Sequence, residues 1–243
     1  MQNYGELQPQ QIRDTIDLLA RRISERFPGS GLSRVAEELS RLAVENERVV
    51  EQLRRPLWWV RVLTALAIGA VVALVGWAGF QLRELALRGV GGAAEMLQGI
   101  DAATSELIFL SLVLLFLASL EVRLKRRAAL RMLHRLRSIA HVVDMHQLTK
   151  DPEHAIRPVE STASSPLRTL PRTRLGRYLD YCSELLSLTS KLAALHSQHL
   201  QDSVVLDAVN DIESLTLNLS RKIWQKIIIL DTAVPRTLST EPE

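Results

Sequence analysis

Two apolar stretches, residues 57–82 and 107–120, constrain this chain more than any other feature. A helix rises ~1.5 Å per residue, so roughly 20 apolar residues cross the ~30 Å hydrocarbon core of a bilayer. The first stretch is long enough alone. The second makes only ~21 Å of helix. To cross, it needs residues 102–105 and 122–124 as extensions, with Glu106 and Glu121 reaching the interfaces. A re-entrant or buried helix is the alternative for it. The expected fold is an all-α membrane protein: a two-helix transmembrane hairpin with a cytosolic helical bundle formed by the N- and C-terminal segments. The hairpin occupies 56–122, with spans at 57–82 and 103–122 and a short external loop. Strands have little support, because aromatic content is 5% and β-branched residues seldom alternate with polar ones.

The arginines give the hairpin a direction. Arg54, Arg55 and Arg61 open the first stretch, and Arg123, Lys125, Arg126, Arg127, Arg131, Arg135 and Arg137 follow the second. Between them lie only Arg83 and Arg88, set against Glu84, Glu95, Asp101 and Glu106. Positive flanks stay in the cytoplasm, so both termini are expected inside and 83–106 outside. Trp58 and Trp59 then mark the inner interface, and Trp77 with Phe80 the outer one. Arg54, Arg55, Arg123, Lys125, Arg126 and Arg127 are candidate contacts to anionic lipid headgroups, at ~1 kcal/mol per charge near the surface. Membrane lipids are therefore expected partners and nucleic acid is not, since basic residues beside a span already have a topological reason. The single Cys182 excludes an internal disulfide and fits a reducing compartment. The first 56 residues mix acidic and basic groups, unlike a cleavable leader, so the first stretch reads as an uncleaved anchor. The preference for Arg over Lys fits a GC-rich bacterium, hence an inner membrane.

Within the spans, Ala65, Gly69, Ala73 and Gly76 form a face of small residues on which another helix can pack closely. Its partner is either the second span, through Ser111 and Ala118, or another copy of the chain. No Asp, Glu, Lys, Arg or His occurs at 62–80 or 107–120. Transporters and proton relays keep ionisable groups at that depth. The turn at 88–92 lacks the threonine and tyrosine of a potassium filter. That leaves an anchor or a simple hydrophobic pore. Arg61 and Glu121 should both lie near the inner interface, either paired or with Arg61 reaching lipid phosphates.

The flanks read as helices. Residues 1–55 hold a helical pair, the first helix carrying Ile12, Ile16, Leu19 and Ile23 and ending at Pro28-Gly29. The second, with Ser30 or the Gly31 turn ahead of it, carries Leu32, Val35, Leu39, Leu42, Asn46, Val49 and Leu53 at alternating spacings of three and four. That seam fits a parallel coiled coil between copies, with Asn46 setting register, or a bundle helix whose stripe is widened by Ala36, Ala43 and Val50. Residues 123–150 continue the second span as a basic juxtamembrane helix. Residues 151–176 form a Pro/Ser-rich linker. Residues 177–234 form a helical hairpin turning near 198–203 with Asp202 or Ser203 as N-cap, and 235–243 is a tail. Two N-terminal and two C-terminal helices make a four-helix bundle the economical arrangement.

Chemistry has little to rest on. His141 with Asp144, and His196 with His199, are i, i+3 pairs, the weak candidates for metal ligands. Isolated pairs of this kind are common, so no metal site, catalytic residue or cofactor is assigned. There is no HExxH, Walker A, GxSxG, GxGxxG or CxxC pattern. Leucines around Cys182 suggest a packed thiol. The expectation is a non-enzymatic membrane scaffold or adaptor, self-associating or binding a cytosolic protein. In layout, two adjacent spans with helices on each side, the chain resembles two-span effectors of bacterial nucleotide-signalling defence systems. That resemblance covers the hairpin and its flanks and implies the alternative, an oligomeric pore or membrane-disrupting effector.

Overall fold

The computed structural model describes residues 5–88, 93–150, 152 and 170–232. Among them there is no strand. The helices are α1 (Pro9–Arg26), α2 (Gly31–Arg54), α3 (Trp58–Arg88), α4 (Ala93–Leu148), α5 (Arg172–His199) and α6 (Ser203–Thr232). They divide into two compact units, Met1–Arg54 with Ala128–Glu243, and Arg55–Arg127.

The first unit is a helical bundle. Pro9 opens α1, where a missing N–H costs nothing. The buried positions Ile12, Ile16, Leu19, Ala20 and Ile23 form one stripe. The Phe27 N–H closes on the Ile23 carbonyl at 2.8 Å, and Gly29 turns the chain with φ +66°. Ser30 then caps α2, its Oγ accepting the Ser33 N–H at 3.1 Å. The α2 stripe from Leu32 to Leu53 is buried, and α2 packs on α1 and α5. The seam is thus filled within the chain, as a bundle helix and not as an open coiled-coil edge. Arg13 pairs with Glu47 at 2.7 Å across the α1–α2 face. Helices α5 and α6 form a second pair in the same bundle, and the Asp202 carboxylate accepts the N–H groups of Val204 (3.1 Å) and Val205 (3.3 Å).

Three boundaries differ from expectation. Helix α5 begins at Arg172, immediately after Pro171 at its N-cap, so 172–176 are helical and not linker. Burial of Leu175 one turn in, with open space where a Gly176 side chain would stand, makes helix the better outcome there. The remaining linker prolines and serines, Pro152 aside, and the 235–243 tail lie outside the described residues. The connection between the apolar helices is not a loop of 83–106, since α3 runs to Arg88 and α4 starts at Ala93. Alanine, leucine and glutamate dominate those flanks and favour helix. The bundle also holds a fifth element, because Ala129, Met132, Leu133, Leu136, Ile139, Ala140 and Val143 of α4 lie in the same core as α1, α2, α5 and α6. The arginines of 123–150 occupy the other face, so this segment is a core helix as well as a basic flank.

The second unit contains α3 and the first part of α4. Both have windows long and apolar enough to cross a membrane, and none of the residues in those windows is buried. Half-covered positions recur at Thr64, Ala67, Val71, Leu74 and Ala78 on α3, and at Leu110, Val113, Leu114, Leu117, Leu120 and Glu121 on α4. Spacings of three and four place these positions along one side of each helix. Ala65, Gly69, Ala73 and Gly76 are all exposed, and no atom lies within 4 Å of where a Gly69 or Gly76 side chain would begin. The small-residue face therefore does not join the two apolar helices of one chain, and Ser111 and Ala118 are likewise exposed.

Candidate functional site

The charged end of the second unit is its most organised feature. Glu121 stands at the end of the apolar run of α4 and faces the start of α3. One carboxylate oxygen accepts the Leu57 N–H at 3.3 Å, an N–H that the start of a helix leaves without an internal partner. Lys125 Nζ lies 3.0 Å from the same oxygen, and Arg61 Nε lies 3.5 Å from the other. Of the two alternatives for Arg61, the pair with Glu121 is the one formed. Lys125 and the Leu57 backbone were missed, although an i, i+4 Glu–Lys spacing is readable in any helix. Glu121 is thus a clamp that ties the second apolar helix to the first turn of the first. Around it Arg123 lies over the Phe116 ring at 5.8 Å, and Arg55, Arg123 and Arg127 are exposed while Arg126 is half-covered. Arg54, in the bundle unit, lies 3.7 Å from Glu51.

The bundle carries a separate buried polar pair. Asn46 and His196 are fully buried. Asn46 Nδ2 donates to the Leu192 carbonyl at 3.2 Å, which turns its Oδ1 towards His196 Nε2 at 2.7 Å. An amide oxygen only accepts, so His196 is the Nε2–H tautomer, and its Nδ1 has no hydrogen-bond partner. Burial, and then the proximity of His199, push the His196 pKa down to about 4, so the ring is neutral at physiological pH.

The metal-ligand candidates do not converge. His141 is exposed, Asp144 accepts a hydrogen bond from Gln147 Nε2 at 2.6 Å, and His196 is committed to Asn46. His199 is half-covered, and partial burial with Arg54 nearby holds its pKa below the usual range. No group of three or more His, Cys, Asp or Glu side chains gathers among the described residues. Asp144 instead begins a structural relay in which buried Gln147 accepts from Lys226 Nζ at 2.6 Å through its side chain and 2.9 Å through its carbonyl. Cys182 is fully buried, and burial pushes its pKa up to about 12, which keeps it a protonated thiol. A surface cavity of about 370 Å³ is lined by Arg22, Glu25, Arg26, Arg177 and Tyr181. Two of its three arginines are offset, Arg22 by Glu184 at 3.5 Å and Arg177 by Asp180 at 3.6 Å.

No family model matches the chain, and neither the curated proteins nor the solved structures contain a match.

Proposed function

We propose that this chain is an integral inner-membrane protein whose hairpin anchors a cytosolic helical bundle, and that the bundle acts as a non-enzymatic scaffold or adaptor. One observation carries the reading: the apolar windows of α3 and α4 hold no buried residue, while the core of the bundle is closed by its own helices. An exposed apolar surface of that length fits the hydrocarbon core of a bilayer. Positive residues at the 54–61 and 123–137 ends favour an orientation with both termini in the cytosol and with Arg54, Arg55, Arg123, Arg126 and Arg127 at anionic headgroups, Lys125 being held by Glu121. Asp144 and the Asn46–His196 pair are held in structural hydrogen bonds and Cys182 is a buried protonated thiol, which favours binding over catalysis. A periplasm-active reporter inserted at 89–92 should be active and the same reporter at the C-terminus inactive. The reverse pattern, or release of the protein by alkaline carbonate, overturns the reading.

The oligomeric pore is the second reading, favoured by the exposed face of Ala65, Gly69, Ala73 and Gly76. Liposomes loaded with a small dye separate the two. An adaptor leaves them intact over a range of protein-to-lipid ratios, whereas a pore empties them and loses that activity in Gly69→Leu/Ala73→Leu.

A further inference from the structure

Helix α6 has a second stripe that the bundle does not use. Its core side is Val205, Val209, Ile212, Thr216, Leu219, Ile223 and Leu230. On the side turned away stand Leu206, Leu217, Trp224 and Ile228, exposed by 38, 53, 57 and 55%. Asn210, Glu213 and Arg221 lie among them and are also exposed. At 3.6 residues per turn these seven positions fall within a sector of about 80°.

The order of the seven is a palindrome. From Leu206 to Ile228 the steps are 4, 3, 4, 4, 3 and 4 residues, symmetric about Leu217. The mirrored positions are complementary: Leu206 mirrors Ile228, the Asn210 amide mirrors the Trp224 indole, and acidic Glu213 mirrors basic Arg221. Glu213 and Arg221 are eight residues apart, ~12 Å along the helix, too far to pair with each other. Neither makes an ion pair among the described residues.

We propose that this stripe is the contact between two copies of the chain, their α6 helices antiparallel about a two-fold axis at Leu217. The axis sets Glu213 against Arg221 of the partner subunit, and Arg221 against Glu213 of the partner subunit. Leu206 meets Ile228 of the partner subunit, and Asn210 lies opposite the indole N–H of the partner subunit's Trp224, a donor its amide oxygen accepts. Self-complementarity of one patch is what a two-fold interface requires. A parallel pairing stacks Glu213 on Glu213 and Arg221 on Arg221, which is repulsive. A membrane surface fits less well, because on the same helix exposed Asp207, Asp211, Glu213 and Asp231 outnumber exposed Arg221 and Lys222, and anionic lipid repels the excess.

The proposal rests on the adaptor reading only in taking the bundle as the part that makes contacts. Sedimentation equilibrium of the full chain in detergent micelles, over a range of concentrations, tests it. The expected result is a dimer. Leu217→Asp, Glu213→Arg and Arg221→Glu should each weaken it by roughly tenfold or more, about 1.4 kcal/mol. Glu213→Arg/Arg221→Glu should restore it, with helicity unchanged throughout. A monomer at every concentration overturns the proposal, as do single variants that dimerise like the parent or a double swap no better than either single. A fluorophore on Ile228→Cys, in a Cys182→Ala chain, that is quenched by brominated lipid in nanodiscs also overturns it by assigning the stripe to lipid. A monomer that still fractionates with membranes sinks the stripe and leaves the adaptor reading standing.

Discussion

Asn46 and His196 show how one buried hydrogen bond couples packing to pH. The neutral ring is stable in the bundle, whereas in the unfolded chain it returns to its usual pKa of 6.5. Between that value and about 4 the unfolded state binds more protons than the folded one. Stability is therefore complete above the unfolded pKa and falls as pH drops through this window, by roughly 3 kcal/mol at the acid end. Partial burial of His146, with Arg34 and Lys150 close by, lowers its pKa as well and works in the same direction. Thermal melts of the detergent-solubilised chain should show Tm falling from about pH 7 to about pH 5, with a shallower slope in Asn46→Leu/His196→Leu. An unchanged slope would show that His196 is not the sensitive group. Asn46→Ala alone strands the ring N–H without an acceptor and should cost about 1–3 kcal/mol at neutral pH, read as a lower Tm.

At the scale of the helix, α4 explains what the sequence discloses and what it hides. Its Leu136 is fully buried, so Leu136→Ala should cost about 2–5 kcal/mol of bundle stability. Arg137→Ala removes only a half-exposed contact to Asp211 at 3.6 Å and should change stability by less than about 1 kcal/mol. Equal effects in denaturant titrations would contradict the placement of the buried face. The stripe at 129–143 was present in the sequence but masked by Arg131, Arg135 and Arg137, which made the segment look like a surface. By contrast α1, α2 and the Asp202 cap were legible, because their signals are local: period, proline, glycine and a capping carboxylate. The partner of Asn46 was not legible, since it lies 150 residues away and only packing brings it near. The half-covered side of α3 was hidden for another reason, that small residues and bulky apolar ones serve equally well in a helix whose every face is apolar. At its charged end a double-mutant cycle on Arg61→Ala and Glu121→Ala should give a coupling of about 0.5–1 kcal/mol in hairpin stability. Strict additivity would assign Glu121 to Lys125 and the Leu57 N–H alone.

If the hairpin lies in a membrane as proposed, the two units, which share the helix α4, fold in different solvents. In the bundle, apolar side chains leave water on folding, and denaturant opposes that transfer in proportion to the surface exposed. In the hairpin, each backbone N–H and C=O inside the helix is already paired, and unfolding in an apolar medium would strand them at several kcal/mol each. Urea should therefore act on one unit and spare the other. Circular dichroism of the full chain in micelles should lose the larger share of its helical signal in one cooperative step, that of α1, α2, α5, α6 and the 128–148 part of α4. A plateau should remain from α3 and the 93–127 part of α4. Because α4 runs through both units without a break, the plateau also reports where the helix frays: melting that stops at 127 leaves Glu121 and Lys125 paired, so Trp58 and Trp59 fluorescence stays constant across the step. A single transition that removes all helicity, or a shift of those tryptophans within it, would mean that the hairpin depends on the bundle for its structure and that the two units are one folding domain.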